Sequence, residues 1–210
     1  MANRRVLQFP DSDLREVSSP VEDFGESLQN LVTDLVDTLE VQGGAGLAAP
    51  QIGERKRVLI IRPDAFDVDN PDPYDGNQKY MVLVNPELNL GAEETAWKEA
   101  CLSVTSPPAV VTRHSQCSVK YKNHMGEDKS LDLDWPLSGA LQHENDHLDG
   151  KLFIDRLSPV ARDIVVRKIR KHRKQLRIAM QQRLRREQIE ATGTLRKKRA
   201  PTKRKKRSRR

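Results

Sequence analysis

Apolar residues recur through residues 21–41 at Phe24, Leu28, Leu31, Leu35 and Leu39, at spacings of 4, 3, 4 and 4. That rhythm lays a single stripe along an amphipathic helix, most simply a core-packing face. Two later runs are apolar without interruption and β-branched in part. Arg57-Val58-Leu59-Ile60-Ile61 reads as one buried strand, and Tyr80-Met81-Val82-Leu83-Val84 as a second, stopped by Asn85-Pro86. Ala109-Val110-Val111-Thr112 and Ser118-Val119-Lys120-Tyr121 alternate as strands do and are expected to pair with each other. His124-Met125-Gly126-Glu127 can turn the chain before Ser130 to Trp135. Arg5 to Val21 is an extended entry segment, and Pro63 to Gly76, rich in Asp, Pro and Asn, an exposed loop. A helix start at Ser158-Pro159 opens a long segment with a weak stripe at Ile164, Val165, Ile169, Leu176, Met180 and Leu184, interrupted at Gly193 and Pro201. Short strands around two helices predict an α+β fold, with the helix before Gly150 packed on small, largely antiparallel sheets.

Charge divides this picture in two. Residues 160–210 hold 22 Lys/Arg against 3 Asp/Glu, whereas residues 1–159 hold 15 against 27. An acidic body with a basic end argues for a polyanionic partner of the end alone. The expected organisation is a catalytic-size domain over 1–158, a basic helix over 159–190 and a Lys/Arg-rich tail over 191–210. The tail has nothing to bury and is expected to be disordered when free. Cys101 and Cys117 are too few for a disulfide framework. No apolar run approaches a membrane span, and the first ten residues lack a signal-peptide core, so a soluble cytoplasmic protein is expected.

The candidate chemistry starts in Gln142-His143-Glu144-Asn145-Asp146-His147-Leu148-Asp149-Gly150. Positions i and i+4 share a helix face, so His143 and His147 can aim two imidazoles at one cation. Glu144, about 100° round the helix from His143, can reach a water there without becoming a ligand. A surface helix with two solvated histidines would read the same way. Gly43-Gly44-Ala45-Gly46-Leu47-Ala48-Ala49-Pro50-Gln51 suits a closely packed backbone. It is not a phosphate loop, since no Gly-Lys-Ser/Thr follows, and an ordinary helix-to-strand connection is the alternative.

Three stretches together resemble the peptide deformylase family. Gly44-Ala45-Gly46-Leu47-Ala48-Ala49-Pro50-Gln51 matches G-x-G-L-A-A-x-Q. Glu99-Ala100-Cys101-Leu102-Ser103 matches E-G-C-L-S, with Ala100 in place of Gly. Residues 142–150 match Q-H-E-x-D-H-L-x-G. Thr105 also departs from the family's usual Pro, and Arg113 is the first basic residue after Pro107-Pro108. The resemblance, over about residues 5 to 170, implies one divalent metal ion held by Cys101, His143 and His147 with a fourth position open to water. Fe(2+) is the expected metal, with Zn(2+), Ni(2+) or Co(2+) able to use the same ligands. It implies hydrolysis of the formyl group from N-formylmethionyl nascent peptides. Glu144 would serve as base and then acid. The metal, the Gln51 amide and the Leu102 backbone N–H would hold the oxyanion, and Gly44 and Gly46 would border the substrate.

The same resemblance suggests that the basic end docks on the ribosome, and its composition favours phosphate contacts with ribosomal RNA over base stacking. A solvated tail that only aids solubility is the plain alternative. His114, His124 and His172 lack ligand spacing and are expected at the surface. Cys117 is expected as a small core residue, and Trp97 and Trp135 as packing residues. Asp146 either orients an imidazole or stabilises its own helix. Two other functions compete: a zincin-like metallopeptidase with a third ligand downstream of His147, and a non-catalytic RNA-binding relative.

Overall fold

The computed structural model describes residues 3–74, 76, 77 and 79–198. Its chain forms two compact units that divide after Val165. In the first, helix α1 (Glu26–Gln42) leads into a short strand β1 (Gly46–Ala48), a 3-10 turn at Ala49–Ile52 and strand β2 (Val58–Ile61). Strands β3 (Met81–Leu90), β4 (Glu94–Cys101), β5 (Val104–His114), β6 (Gln116–Lys122) and β7 (Asp128–Asp134) follow, and then helix α2 (Leu137–Leu148). The strands form a sheet of order β1-β2-β3-β6-β7 and a separate hairpin of β4 with β5, with every pairing antiparallel. The expected α+β architecture is the one observed.

The uninterrupted apolar runs have a simple cause: the middle of the sheet is covered on both faces. Val58, Ile60, Val82 and Val84 pack with Leu28, Val32, Leu35 and Leu39 of α1. Their alternates Leu59, Ile61, Met81 and Leu83 pack with Leu137, Leu141 and Leu148 of α2. On α1 the predicted stripe holds at Leu28, Leu35 and Leu39; Val32 is also buried, Leu31 is partly so, and Phe24 precedes the helix. Helices α1 and α2 both end at a left-handed glycine. Gly43 is left-handed at φ 73°, its N–H donating to Leu39 O. At the end of α2, Gly150 (φ 68°) donates to His147 O and Lys151 N–H donates to Asp146 O, a Schellman closure.

Three expectations need correction. Strand β3 does not stop at Asn85-Pro86 but runs on to Leu90 through a bulge between Val84 and Glu87. Asn85 adopts φ 52°, which Asn tolerates better than most residues, and its side chain bonds both N and O of Val21. Second, the runs 109–112 and 118–121 are not partners. The former belongs to β5 and pairs with β4; the latter belongs to β6 and pairs with β3 and β7. The chain changes sheet at Ser115, where Gly91 N–H donates to Gln116 O and Ser115 N–H donates to Glu93 O. Period-two patterning reports a half-buried strand without naming its neighbour.

Third, helix α3 (Pro159–Lys198) continues through Gly193. A helix-interior glycine costs about 1 kcal/mol relative to alanine and brings no clash, so a single one does not by itself end a helix. Residues 199–210, most of the tail expected to be disordered, lie outside the described residues. Among the described residues no helix is long and apolar enough to cross a membrane.

Candidate metal centre

Helix α2 supplies two of the candidate ligands from the face that meets the sheet, and both His143 and His147 are buried. The third comes from β4, whose alternation turns Trp97, Glu99 and Cys101 inward and leaves Lys98 and Ala100 exposed. Ala100, where the family pattern has Gly, therefore places its methyl on the exposed face of the strand. One ligand atom from each of Cys101, His143 and His147 lies within 4.8 Å of the others, and Cys101 Sγ stands 3.3 Å from His147 Nε2. No other group of three or more His, Cys, Asp or Glu side chains among the described residues meets at ligating distance. The ligand expected downstream by the metallopeptidase alternative has no counterpart there.

What brings β4 to α2 is a buried array of charge that the sequence did not reveal. Arg113 of β5 donates from Nε to Glu99 Oε1 at 2.7 Å and from Nη2 to Glu99 Oε2 at 2.9 Å. Its Nη1 donates to Asp146 Oδ2 of α2 at 2.5 Å. Relative side-chain exposures of 0%, 2% and 4% for Arg113, Glu99 and Asp146 leave these charges no solvent partner. Glu99 Oε2 also accepts from His143 Nδ1 at 2.7 Å. The hydrogen bond fixes the imidazole so that Nε2 faces the cluster, the usual arrangement for a metal-binding histidine. Asp146, considered as an imidazole partner, instead holds Arg113 and Arg156.

The electrostatics follow from burial and these contacts. Burial alone would raise the Glu99 carboxyl, but the Arg113 and His143 hydrogen bonds hold it well below the ordinary carboxylate range. Burial pushes Glu144 up to about 7. It also disfavours a charged His143, yet the Cys101 sulfur and Glu99 keep that imidazole well above its usual value. His147 falls well below, through burial and the charge of His143. Glu144 Oε2 and His147 Nδ1 are buried without a hydrogen-bond partner. A sulfur and two imidazole nitrogens, with one ring already oriented from behind, fit a divalent ion that keeps an open coordination position.

The remaining expected residues gather around the same place. Gln51 is buried; its Oε1 accepts from Ala48 N at 2.8 Å, and its Nε2 donates to Ser103 Oγ at 3.1 Å and towards Cys101 Sγ at 3.6 Å. The entry segment holds both neighbours. Leu7 N–H donates to Gln51 O and Phe9 N–H to Ser103 O, while Gln8 Nε2 donates to Leu102 O and Gln8 Oε1 accepts from Thr105 Oγ1. Thr105 thus has a structural use where the family pattern has Pro. Gly44, Gly46, Gln51, Cys101, Leu102, His143 and Glu144 all line a cleft of about 400 Å³. A Cβ on Gly46 would fall 2.5 Å from Glu144 Oε1, so this glycine makes room for the acid as well as bordering the cleft.

Other residues fall as expected or depart from expectation. Cys117 is buried in the core. His114 is half-buried, its Nδ1 2.7 Å from Gly91 O, and half-buried His124 stacks edge-on with Tyr74. Trp97 is more than packing: its ring lines the cleft and its Nε1–H donates to Glu99 Oε1 at 2.9 Å. Glu99 and Arg113 were visible in the sequence as a motif letter and a basic residue, but their partnership spans β4, β5 and α2. Only the fold reveals it.

The sequence matches the polypeptide deformylase family over residues 3–163. It is 43% identical to a peptide deformylase of Bartonella tribocorum over 176 residues, covering 83% of this chain and 96% of that one. It is 38% identical to a peptide deformylase of Erythrobacter litoralis, covering 82% and 98%. Among solved structures, a peptide deformylase from Legionella pneumophila superposes with a TM-score of 0.74 at 38% identity, covering 83% of this chain and 98% of the other. The Thermotoga maritima peptide deformylase superposes at 0.67 and 32%, covering 76% and 100%. With the cluster of Cys101, His143 and His147 standing on that shared fold, this chain belongs to the polypeptide deformylase family.

Proposed function

We propose that this chain removes the formyl group from the N-terminal formyl-methionine of newly made polypeptides by hydrolysis, releasing formate. The observation that carries this reading is the meeting of Cys101, His143 and His147 beside the buried, unpartnered Glu144 Oε2. A divalent metal on these ligands, which we assign as Fe(2+), supplies Lewis acidity towards the attacking water and the formyl oxygen. Glu144 Oε2 accepts a proton from that water and returns it to the amine nitrogen as the C–N bond breaks. The Gln51 amide, fixed by Ala48 and Ser103, and the Leu102 backbone N–H donate to the developing oxyanion. Gly44 and Gly46 keep the cleft wall free of side chains where the peptide lies. The test is formate release from formyl-Met-Ala-Ser, with metal analysis of anaerobically purified protein. Internal peptide cleavage without formate release would instead favour a metallopeptidase.

Gly46→Ala is expected to slow formate release by about 100-fold, because the new methyl displaces the Glu144 carboxyl by an ångström or more. Metal content should be unchanged; a rate near wild type would show that Glu144 has another productive position.

We further assign a cytoplasmic site of action and a ribosomal partner to the basic end. Residues 160–210 carry 22 Lys/Arg, and the first unit, rich in acid, has no comparable patch in sequence. Each phosphate contact releases a counterion, so binding should weaken steeply with salt. Removing residues 191–210 is expected to reduce co-sedimentation with ribosomes and flatten its salt dependence. Unchanged binding at every salt concentration would reject this role for the tail.

A further inference from the structure

Trp97 stands at a junction that the reaction scheme above does not use. Its ring lines the cleft, 6.1 Å from the ring of Phe66 and in edge-on contact with Trp135 at 4.5 Å. Trp135 in turn leans on α2 at Gly139, where a Cβ would fall 2.6 Å from its ring. On its other side the indole N–H donates to Glu99 Oε1. Glu99 thereby receives four donors on two oxygens: Trp97 and Arg113 Nε on Oε1, Arg113 Nη2 and His143 on Oε2. Trp97, Glu99 and His143 all line the cleft, and Arg113 does not.

We propose that Trp97 is a positioning residue for His143, acting through Glu99, and that its ring ties the contents of the cleft to that metal ligand. The inference rests on the deformylase reading for the identity of the cleft's occupant, an apolar side chain beside a formyl group. The physical argument is one of shared hydrogen bonds. A carboxylate this buried keeps a fixed orientation only while its donors hold it, and apart from His143 itself the donor that lines the cleft is the indole. Packing of an apolar side chain against the ring presses the N–H towards Glu99, which holds the His143 ring in line.

The test uses the full chain with Trp135→Phe, so that Trp97 is the remaining tryptophan. Adding zinc alone to metal-free protein is expected to shift the Trp97 emission, saturating at one equivalent. The product peptide Met-Ala-Ser should shift it again. Trp97→Phe keeps the aromatic wall and loses the N–H. Its kcat is expected to fall by about tenfold, the low end for a hydrogen bond to a charged group, with KM within about threefold. A wild-type kcat in Trp97→Phe, or an emission blind to saturating zinc, would overturn the proposal. Should Trp97→Phe fail to fold, the emission of the Trp135→Phe chain decides alone. If wild type releases no formate yet Trp97 responds to zinc, the deformylase reading fails and the positioning role stands.

Discussion

Glu144→Gln is expected to lower the rate of formate release by about 100- to 10,000-fold, the span general acid–base catalysis contributes, while the protein still binds one metal ion. The substitution preserves the size and shape of the side chain, so the space left by Gly46 is filled as before. It removes only the ability to take a proton from water and return it to the leaving amine. The three ligand atoms lie on other residues, and the hydrogen bond that orients His143 comes from Glu99. Metal content and thermal stability should therefore match wild type. Turnover by the Gln variant at the wild-type rate would refute Glu144 as the base; lost metal would mean that it helps to hold the ion.

The second large effect concerns stability. Arg113→Met should destabilise the fold by about 3–5 kcal/mol, the usual result of removing one partner from a buried ion pair. For a chain of this size that corresponds to roughly 6–20 °C in the melting temperature. The guanidinium is fully enclosed and is one of the links between the β4–β5 hairpin and α2, beside the Glu99–His143 hydrogen bond. Methionine fills much of the volume but satisfies neither Glu99 nor Asp146. Asp146 retains Arg156, and Glu99 retains Trp97 and His143, which places the expected loss towards the lower end. Calorimetry of the metal-free variant isolates this effect from metal binding. A melting temperature within about 2 °C of wild type would show that the array stabilises far less than its burial implies.

The separation of these effects reflects how the centre is built. Cys101 lies on β4 and both histidines on α2, and backbone and charge contacts from behind hold those two elements and the His143 ring. The entry segment ties down the turn after Cys101 and the 3-10 turn with Gln51. Arg113 ties β4 to α2. Catalytic groups can thus be altered at constant stability, and the supporting array can be weakened without touching a reacting group.

The candidate ligands and the proposed acid could be picked out before any coordinates because helical spacing is a local property. His143 and His147 lie one turn apart in any α-helix, and Cys101 and Gln51 sit in short motifs whose letters survive translation into chemistry. The apolar runs of β2 and β3 were legible for a similar reason: a strand covered on both faces has no polar alternate. What the sequence left open was every relation between remote segments. It could not say that β5 pairs with β4 and not β6, that Asn85 bends β3 without ending it, or that Trp97, Glu99, Arg113 and Asp146 share one buried array. Periodicity records which side of an element is buried, whereas the identity of the neighbour depends on long-range packing and on the cost of leaving a buried charge unpaired. Those energies exist only in the folded chain, so the tertiary structure alone decided them.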